Sequence, residues 1–151
     1  MHKLPSPDLK WPIILDGVAL IAESENCFLK TYRCPAGVPT IGWGETQGVV
    51  MGMEWTQEQA DQKFCDSLTA SATEVLAALT VAPSEHELAA LTSFAYNCRG
   101  WKKSSVIKAH NRGDRTAAAN ALLLWDKATI GGVLTVLNGL TVRRHREAAM
   151  Y

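Results

Sequence analysis

The segment from Phe28 to Val50 differs in character from the rest of the chain and limits the folds available to it. It is rich in β-branched and aromatic residues, and turn residues interrupt it at short intervals. These turn residues are Pro35, Gly37, Gly42, Gly44 and Gly48. Short runs of this kind, bounded by turn residues, predict strands. We interpret Leu29–Arg33 and Thr40–Trp43 as two short antiparallel strands.

An amphipathic helix is predicted before this segment. Ile14, Val18, Ile21 and Glu25 follow one another at spacings of four, three and four residues, so they share one face of a helix. Pro12 suits the first turn of that helix, where its missing N–H would be unpaired in any case. The apolar stripe therefore ends in a carboxylate, at Glu25.

The whole segment after the predicted strands is predicted to be helical. Two capping boxes, Thr56–Gln59 and Ser84–Glu87, open two helices, and Gly100 closes the second. Shorter helices are predicted around Ser105–His110, Thr116–Trp125 and Val142–Ala149, with a break at Gly131 and Gly132.

The resulting fold class is α+β and mostly α. We expect a single domain over residues 1–151, because this length matches one domain. Within it we expect a loose arm at residues 1–11, a small β lobe at about 28–50 and a helical lobe at about 56–151.

Charge and cysteine content exclude several classes of protein. Lys plus Arg and Asp plus Glu number 15 each, so the net charge of zero gives no general attraction to nucleic acid or to an anionic membrane. The four cysteines form no C-x-x-C pair and have no histidine at a zinc spacing, so a structural metal site is not expected. The longest apolar run, Trp11–Ala22, is too short for stable insertion into a bilayer, and no signal peptide is evident.

Glu25, Cys34 and Thr40 form the candidate site. A carboxylate at the end of an apolar stripe is partly shielded from water, which suits a group that delivers a proton to a leaving oxygen. The hairpin would fold a second polar group back opposite it, which is the arrangement used in glycoside hydrolysis. The alternative for Glu25 is a helix-end carboxylate in a structural ion pair.

Three sequence blocks resemble the phage-type lysozymes, or endolysins (glycoside hydrolase family 24). The first runs from Glu25 to Cys34 and continues as Ala36–Gly44 with Thr46, the second is Ala90–Asn97, and the third is Gly139–Glu147, which matches G-L-x-x-R-R-x-x-E. They occur in the family's order. The resemblance implies a lysozyme-like fold with a cleft between the two lobes, and hydrolysis of the β-1,4 bond between N-acetylmuramic acid and N-acetylglucosamine in peptidoglycan, causing host cell lysis.

The resemblance also implies that no metal or organic cofactor takes part, and it implies residue roles. The family's pattern of Glu, eight residues, Asp or Cys, five residues and Thr makes Glu25 the general acid, Cys34 the second catalytic group and Thr40 the water-orienting hydroxyl. Arg144 is expected to orient the acid; the alternative for Arg144 is a solvated helix end. A further pair, Tyr96 and Asn97, is expected to bind sugar, although Tyr96 could equally belong to the core.

Three residues depart from the family's usual pattern. Cys34 stands where many relatives have Asp, and a thiol activates water poorly unless it is ionised. Glu45 replaces a histidine and adds negative charge near the site. Asn26 replaces a glycine, although asparagine tolerates a left-handed backbone.

Cys27 suggests regulation, because some phage lysozymes resembling this chain are held inactive by a disulfide. A Cys27–Cys34 bond would bury the reactive thiol and act as a redox lock, provided that the two Cα atoms lie within about 7 Å. The alternative is two free thiols in a reducing cytoplasm.

Two other functions stay open at this point. A lytic transglycosylase needs only the acid, and a catalytically inactive cell-wall-binding module would share the fold. The resemblance further implies peptidoglycan strands as the partner and a monomer made in the host cytoplasm. Such a chain would reach the periplasmic wall through a holin-type pore or be carried in the phage particle.

Overall fold

A computed structural model describes residues 3–151 of the chain. These residues form two compact units, one ending at Ala70 and the other comprising Ser71–Tyr151. The six helices are α1 (Leu15–Glu25), α2 (Gln57–Ala78), α3 (Glu85–Asn97), α4 (Ser105–Asn111), α5 (Arg115–Leu122) and α6 (Asn138–Met150). The four strands are β1 (Phe28–Arg33), β2 (Pro39–Gly42), β3 (Lys127–Ile130) and β4 (Val133–Val136).

In the first unit, β1 and β2 form the predicted antiparallel hairpin. Tyr32 lies directly opposite Thr40, and Arg33 lies opposite Pro39. The preceding helix, α1, buries Val18 and Ile21 as the stripe predicts. It begins at Leu15, so the expectation that Pro12 occupies its first turn is wrong.

The N-terminal arm is not loose over its described part, residues 3–11. The backbone N–H of Ser6 donates to Oδ2 of Asp61 at 3.0 Å, and the indole N–H of Trp11 donates back to the Ser6 carbonyl at 3.0 Å. Trp11 also contacts Phe64 edge to face, with ring centroids 5.6 Å apart. The expectation of a loose arm failed because a buried carboxylate on α2 needs donors.

Asp61 is the polar centre of this first unit. Its Oδ1 accepts hydrogen bonds from Nε1 of Trp43 at 2.9 Å and from Nε2 of Gln57 at 2.7 Å. Together with the Ser6 amide these donors satisfy a side chain that is only 5% exposed. The arm, the end of the hairpin and α2 are thereby joined at one carboxylate.

Helix α2 begins where the capping box predicts. The Thr56 hydroxyl accepts from the Gln59 N–H at 3.1 Å, and the Gln59 side chain accepts from the Thr56 N–H at 2.8 Å. Ala60, Phe64 and Leu68 on its predicted face are fully buried. The boundary between the two units falls within this helix.

The second unit packs helices around an apolar core. Ser84 and Glu87 form the predicted capping box of α3. That helix ends at Asn97, three residues before Gly100, so the predicted stop is late. The buried core of the unit consists of Val75, Leu91, Phe94, Trp101, Val106, Ile107, Ala121 and Leu122.

A second antiparallel hairpin, β3–β4, contradicts the prediction that everything after the first hairpin is helical. Ile130 pairs with Val133 across a two-residue turn, in which Gly131 and Gly132 have φ of 57° and 81°. Positive φ at both positions characterises the tight turns that join antiparallel strands. Reading the two glycines as a helix break, rather than as a hairpin turn between β-branched residues, caused the error.

Among residues 3–151, no helix combines the length and apolarity that crossing a bilayer requires.

Candidate active site

Glu25 is the last residue of α1 and is half-buried. The apolar stripe of that helix brings it to the edge of the first unit's core, as its spacing predicts. Asn26 follows with φ of 61° and ψ of 165°. This backbone conformation is one that glycine adopts easily and other residues rarely do, so the turn that releases the chain into β1 is strained.

Gly44 lies directly against the Glu25 carboxylate. A Cβ atom at this position would lie 2.8 Å from Oε2 of Glu25, and the backbone of Gly44 has φ of +94°. Glycine is therefore required twice, for the conformation and for the close approach. The turn after β2 forms one wall around the acid.

Tyr32, on β1, feels the charge of both Glu25 and Cys34. It stands opposite Thr40, so both side chains project from the same face. Burial raises the pKa of the Tyr32 phenol, and negative charge on Cys34 and Glu25 raises that pKa further. The phenol therefore lies within electrostatic reach of both predicted catalytic groups.

Cys34 follows β1 and begins a tight turn. Its N–H donates to the Val38 carbonyl at 3.0 Å, and its carbonyl accepts from the Gly37 N–H at 2.7 Å. The backbone N–H of Val38 lowers the pKa of the Cys34 thiol most, and further donors on Ala36, Gly37 and Thr40 act in the same direction. This cradle of donors favours the thiolate, the form that can accept a proton.

Thr40 is 4% exposed, and its hydroxyl donates to the Val38 carbonyl at 2.9 Å. A hydroxyl carries one hydrogen, so donation to Val38 leaves its lone pairs available to a water molecule. Rotation of the same hydroxyl would bring its hydrogen to the Cys34 thiolate instead. Thr40 can therefore serve as acceptor or donor beside Cys34.

Cys27 and Cys34 do not form a disulfide, and all four cysteines are free thiols. The two residues flank β1, and a strand of this length holds their Cα atoms roughly 20 Å apart. A disulfide requires less than about 7 Å, so the predicted redox lock between these two residues is excluded in this fold. The Cys27 thiol instead accepts a hydrogen bond from Nε2 of Gln57 at 3.7 Å.

Glu45 is buried rather than displayed near the site. Its backbone bridges to Ile41, and Oε1 accepts a hydrogen bond from the Ser67 hydroxyl at 2.8 Å. Burial raises the pKa of the Glu45 carboxyl, and the negative charge of Glu25 adds to that rise, whereas Ser67 and Lys63 oppose it.

Tyr96 and Asn97, the predicted sugar-binding pair, occupy the C-terminal end of α3. Tyr96 is half-buried and Asn97 is exposed. Because Tyr96 is half-buried, it is neither a fully buried core residue nor a ring fully exposed for stacking against a sugar. Their role in binding stays a prediction.

Arg144 is fully buried, so it is not a solvated helix end. Its Nε lies 2.8 Å from Oε2 of Glu147, and another guanidinium nitrogen donates to Oε1 at 2.8 Å. A third N–H group donates to Sγ of Cys98 at 2.8 Å, and the guanidinium lies 5.2 Å from the centre of the Phe94 ring. These contacts give Arg144 a structural role within the second unit. Its orienting action on Glu25 stays a prediction.

Glu147 has further partners that the sequence motif did not reveal. Its Oε1 accepts from the Ser93 hydroxyl at 2.6 Å and from Nε of Arg143 at 3.2 Å. The Arg143 guanidinium also donates to the Ser93 carbonyl at 3.1 Å. The R-R-x-x-E signature thus describes a buried ion-pair network joining α6 to α3.

Sequence reasoning missed Tyr32, Gly44 and the pairing of Glu45 with Ser67. A signal for Tyr32 existed, since it lies near the end of the predicted strand, two residues before Cys34 in the sequence. The close approach of Gly44 to Glu25 and the burial of Glu45 depend on contacts between distant parts of the chain, and they left no local pattern.

Comparison with known proteins identifies the family of the chain. The Phage lysozyme family matches residues 22–147. The SAR-endolysin of Pseudomonas phage phiKMV is 38% identical over 134 residues, which cover 88% of this chain and 82% of that relative.

Two solved structures are similar over almost the whole chain. The endolysin from Escherichia coli O157:H7 phage FAHEc1 gives a TM-score of 0.86 at 34% identity, covering 95% of this chain and 94% of that one. The muramidase domain of SpmX from Asticaccaulis excentricus gives 0.85 at 29% identity, covering 93% and 97%. The chain, mostly helical with two small antiparallel hairpins, therefore belongs to the phage lysozyme family of glycoside hydrolases that act on peptidoglycan.

Proposed function

We propose that this chain is an endolysin that hydrolyses the β-1,4 bond between N-acetylmuramic acid and N-acetylglucosamine, with Glu25 as the general acid. The observation that carries the proposal is the grouping of Glu25, Tyr32, Cys34 and Thr40 in the first unit. Gly44 supports it, because only a glycine allows the chain to pass this close to the carboxylate.

In the proposed reaction, the Glu25 carboxyl gives its proton to the glycosidic oxygen as the C–O bond breaks. Water attacks the sugar carbon, and the Cys34 thiolate accepts the proton that this water loses. The backbone donors at Val38, Ala36 and Gly37 support the role of Cys34, because they favour its ionised form. Exchange with solvent then returns both groups to their starting states.

Thr40 is proposed to hold the attacking water. Its hydroxyl hydrogen is engaged by the Val38 carbonyl at 2.9 Å, so its oxygen presents lone pairs to a water O–H. That water can direct its other hydrogen to the Cys34 thiolate. A residue that positions water in this way raises the effective concentration of the nucleophile.

Tyr96 and Asn97 are proposed as sugar contacts. An aromatic ring suits the apolar face of a sugar, and an amide suits an N-acetyl group. Substitution of either should raise KM more than it lowers kcat, because the contact is made with the bound substrate before the reaction as well as during it.

The family assignment does not specify where in the cell the chain acts or how it is released. We propose that the chain acts as a monomer on the periplasmic wall after production in the host cytoplasm, and that a holin-type pore releases it. Two relatives are described as SAR-endolysins, from Pseudomonas phage phiKMV and Escherichia phage P1. Lysis timing in cells with and without a co-expressed holin tests this dependence.

The function is tested by digesting purified Gram-negative peptidoglycan with the reduced protein and identifying the products by mass. Reducing muramic-acid ends from the wild type, and none from Glu25→Gln, are expected. Glu74→Gln is the matched control, because its carboxylate is 60% exposed and pairs only loosely with Lys102.

The other products have distinct meanings. Anhydro-muramic ends would identify a lytic transglycosylase and would leave Cys34 without a role in activating water. If reduced wild type binds the glycan without cutting it, the chain is a binding module.

A further inference from the structure

Glu45 closes the turn that lies against the proposed acid. The backbone N–H of Ile41 donates to the Glu45 carbonyl at 2.9 Å, and the backbone N–H of Glu45 donates to the Ile41 carbonyl at 2.9 Å. These reciprocal hydrogen bonds close a turn around three intervening residues, the last of which is Gly44. Whatever holds this turn in place therefore also determines where Gly44 passes the Glu25 carboxylate.

The side chain of Glu45 attaches the turn to α2. Glu45 is only 9% exposed, and its Oε1 accepts a hydrogen bond from the Ser67 hydroxyl at 2.8 Å. A buried carboxyl oxygen requires a donor, and the short side chain of Ser67 supplies one from within a long helix. The bond thus connects α2 with the residue that directly follows Gly44.

Trp43 provides a second attachment to the same helix. Its indole N–H donates to Oδ1 of Asp61 at 2.9 Å, and its ring stacks on Phe64 with the centroids 5.6 Å apart. The Trp43 side chain is 1% exposed, so packing also restricts it. The turn is therefore attached to α2 on both sides of Gly44, through Trp43 before it and Glu45 after it.

Glu45 can act on the acid through its charge or through its position. Burial is the main cause of the raised pKa of Glu45, and the negative charge of Glu25 adds to it, so the two carboxyls lie within electrostatic reach. The direct contacts favour position. The Glu45 side chain is bonded to Ser67, whereas the close approach to the Glu25 carboxylate is made by the backbone of Gly44.

We propose that Glu45 is a positioning residue, whose hydrogen bond to Ser67 holds Gly44 against the Glu25 carboxylate and so fixes the location of the acid. The inference rests on the proposed function of Glu25. A general acid must lie within hydrogen-bond distance of the oxygen that it protonates, so a displaced carboxyl slows the chemical step. Neither Glu45 nor Ser67 is proposed to contact the sugar, so substrate affinity should change little.

Two substitutions separate position from charge. Ser67→Ala removes the donor but leaves the Glu45 carboxyl, whereas Glu45→Gln removes the charge but keeps an oxygen that accepts from Ser67. With soluble peptidoglycan fragments as substrate, Ser67→Ala should lower kcat about tenfold or more and change KM less than about twofold. Glu45→Ala should lose as much kcat as Ser67→Ala, and Glu45→Gln should recover most of that loss.

Ser71→Ala is the matched control. Ser71 is a half-buried serine one turn further along α2, so the same hydroxyl is removed from the same helix. Its kcat should equal that of the wild type. Urea unfolding of all the variants establishes that each is folded under the assay conditions.

Amide hydrogen exchange tests the attachment without substrate. The Glu45 N–H is protected by the Ile41 carbonyl, so Ser67→Ala should speed its exchange about tenfold if the bond to Ser67 holds the turn. The amide of Phe64 on α2 serves as the internal reference. An unchanged rate at Phe64 shows that the turn opens locally and that the chain does not unfold as a whole.

Several results would overturn the positioning role. One is a kcat for Ser67→Ala equal to that of the wild type, and another is unchanged exchange at Glu45 in that variant. Loss of kcat in Glu45→Gln but not in Ser67→Ala would show that Glu45 acts through its charge. If the wild type cuts no glycan bond, the proposed function fails, and the exchange rate at Glu45 then decides by itself whether Ser67 holds the turn.

Discussion

Gly44 and Glu25 are in such close contact that a single added methyl group would displace the carboxylate. The distance from a Cβ at Gly44 to Oε2 of Glu25 would be 2.8 Å, shorter than real Cβ contacts. The position of the proposed acid is thus fixed from two sides, by the end of α1 and by the turn after β2. A substitution at Gly44 tests whether this position matters for the reaction.

Gly44→Ala should abolish most of the activity while the fold persists. The alanine costs about 1–3 kcal/mol through its positive φ and also pushes the Glu25 carboxylate aside. Gly48→Ala is the control, because Gly48 has φ of +70° with nothing within 4 Å of an added Cβ. Urea unfolding should show similar losses for both variants, and peptidoglycan digestion should fail only for Gly44→Ala. Equal activities would show that the close contact is unimportant.

Cys34 should be the first thiol to react with iodoacetamide near neutral pH. Backbone donors lower the pKa of its thiol, whereas burial raises the pKa of Cys27, Cys65 and Cys98. Alkylation proceeds through the thiolate, so the order of reaction follows these directions. Mass analysis of peptides after short labelling times checks the order. If Cys27 were labelled earlier, the backbone donors would not lower the pKa of the Cys34 thiol as inferred.

The pH dependence of the reaction should change when Cys34 becomes an aspartate. In the reduced wild type, activity rises with pH as Cys34 loses its proton, at a pKa below the ordinary thiol value of 9.0. The carboxyl of Cys34→Asp ionises near pH 4 by reference, so its rising limb should lie several pH units lower. Cys34→Ala should lose the limb altogether. If both variants kept the pH profile of the wild type, Cys34 would have no part in the mechanism.

Asn26→Gly should stabilise the protein by about 1 kcal/mol. Asn26 occupies a conformation that costs about 1–3 kcal/mol in a residue with a side chain, and the greater freedom of unfolded glycine offsets part of the gain. Asn120→Gly in α5 should instead destabilise by a few tenths of a kcal/mol, because that residue is helical. Urea unfolding at equilibrium distinguishes the two signs.

Glu45→Gln should stabilise the protein near neutral pH and have little effect near pH 4. Burial raises the folded-state pKa of Glu45 above its ordinary value of 4.5. The stability that the neutral carboxyl contributes is fully present below that value and is lost as pH rises through the folded-state pKa. Gln cannot ionise but keeps an oxygen to accept from Ser67. Urea midpoints at both pH values check the difference; the same gap at both would refute it.

Local patterns predicted the elements whose signals lie within one turn or one strand. The capping boxes at Thr56 and Ser84 mark true helix starts, because side chain and backbone satisfy each other within four residues. The first hairpin was predicted from its turn residues. The second was missed because Gly131 and Gly132 were read as a break, although they hold the positive φ values of a hairpin turn.

Predictions that depended on which distant residues come into contact were wrong or remain untested. The Cys27–Cys34 disulfide looked feasible from two cysteines near a hairpin, but both flank a single strand whose extension keeps them apart. The arm at residues 3–11 looked polar and loose, yet the buried carboxylate of Asp61 fixes it through Ser6. Neither outcome is encoded in composition or spacing.

The sequence by itself determined the family, the mostly helical fold with its first hairpin, and the candidate residues Glu25, Cys34 and Thr40, because these depend on short-range periodicity and ordered motifs. Only the tertiary structure decided the surroundings of those residues. The contact of Gly44 with Glu25, the burial of Glu45 and Arg144 and the exposure of the β3–β4 hairpin all depend on residues far apart in the chain. Burial and electrostatic environment arise from packing, and packing is a property of the folded chain as a whole.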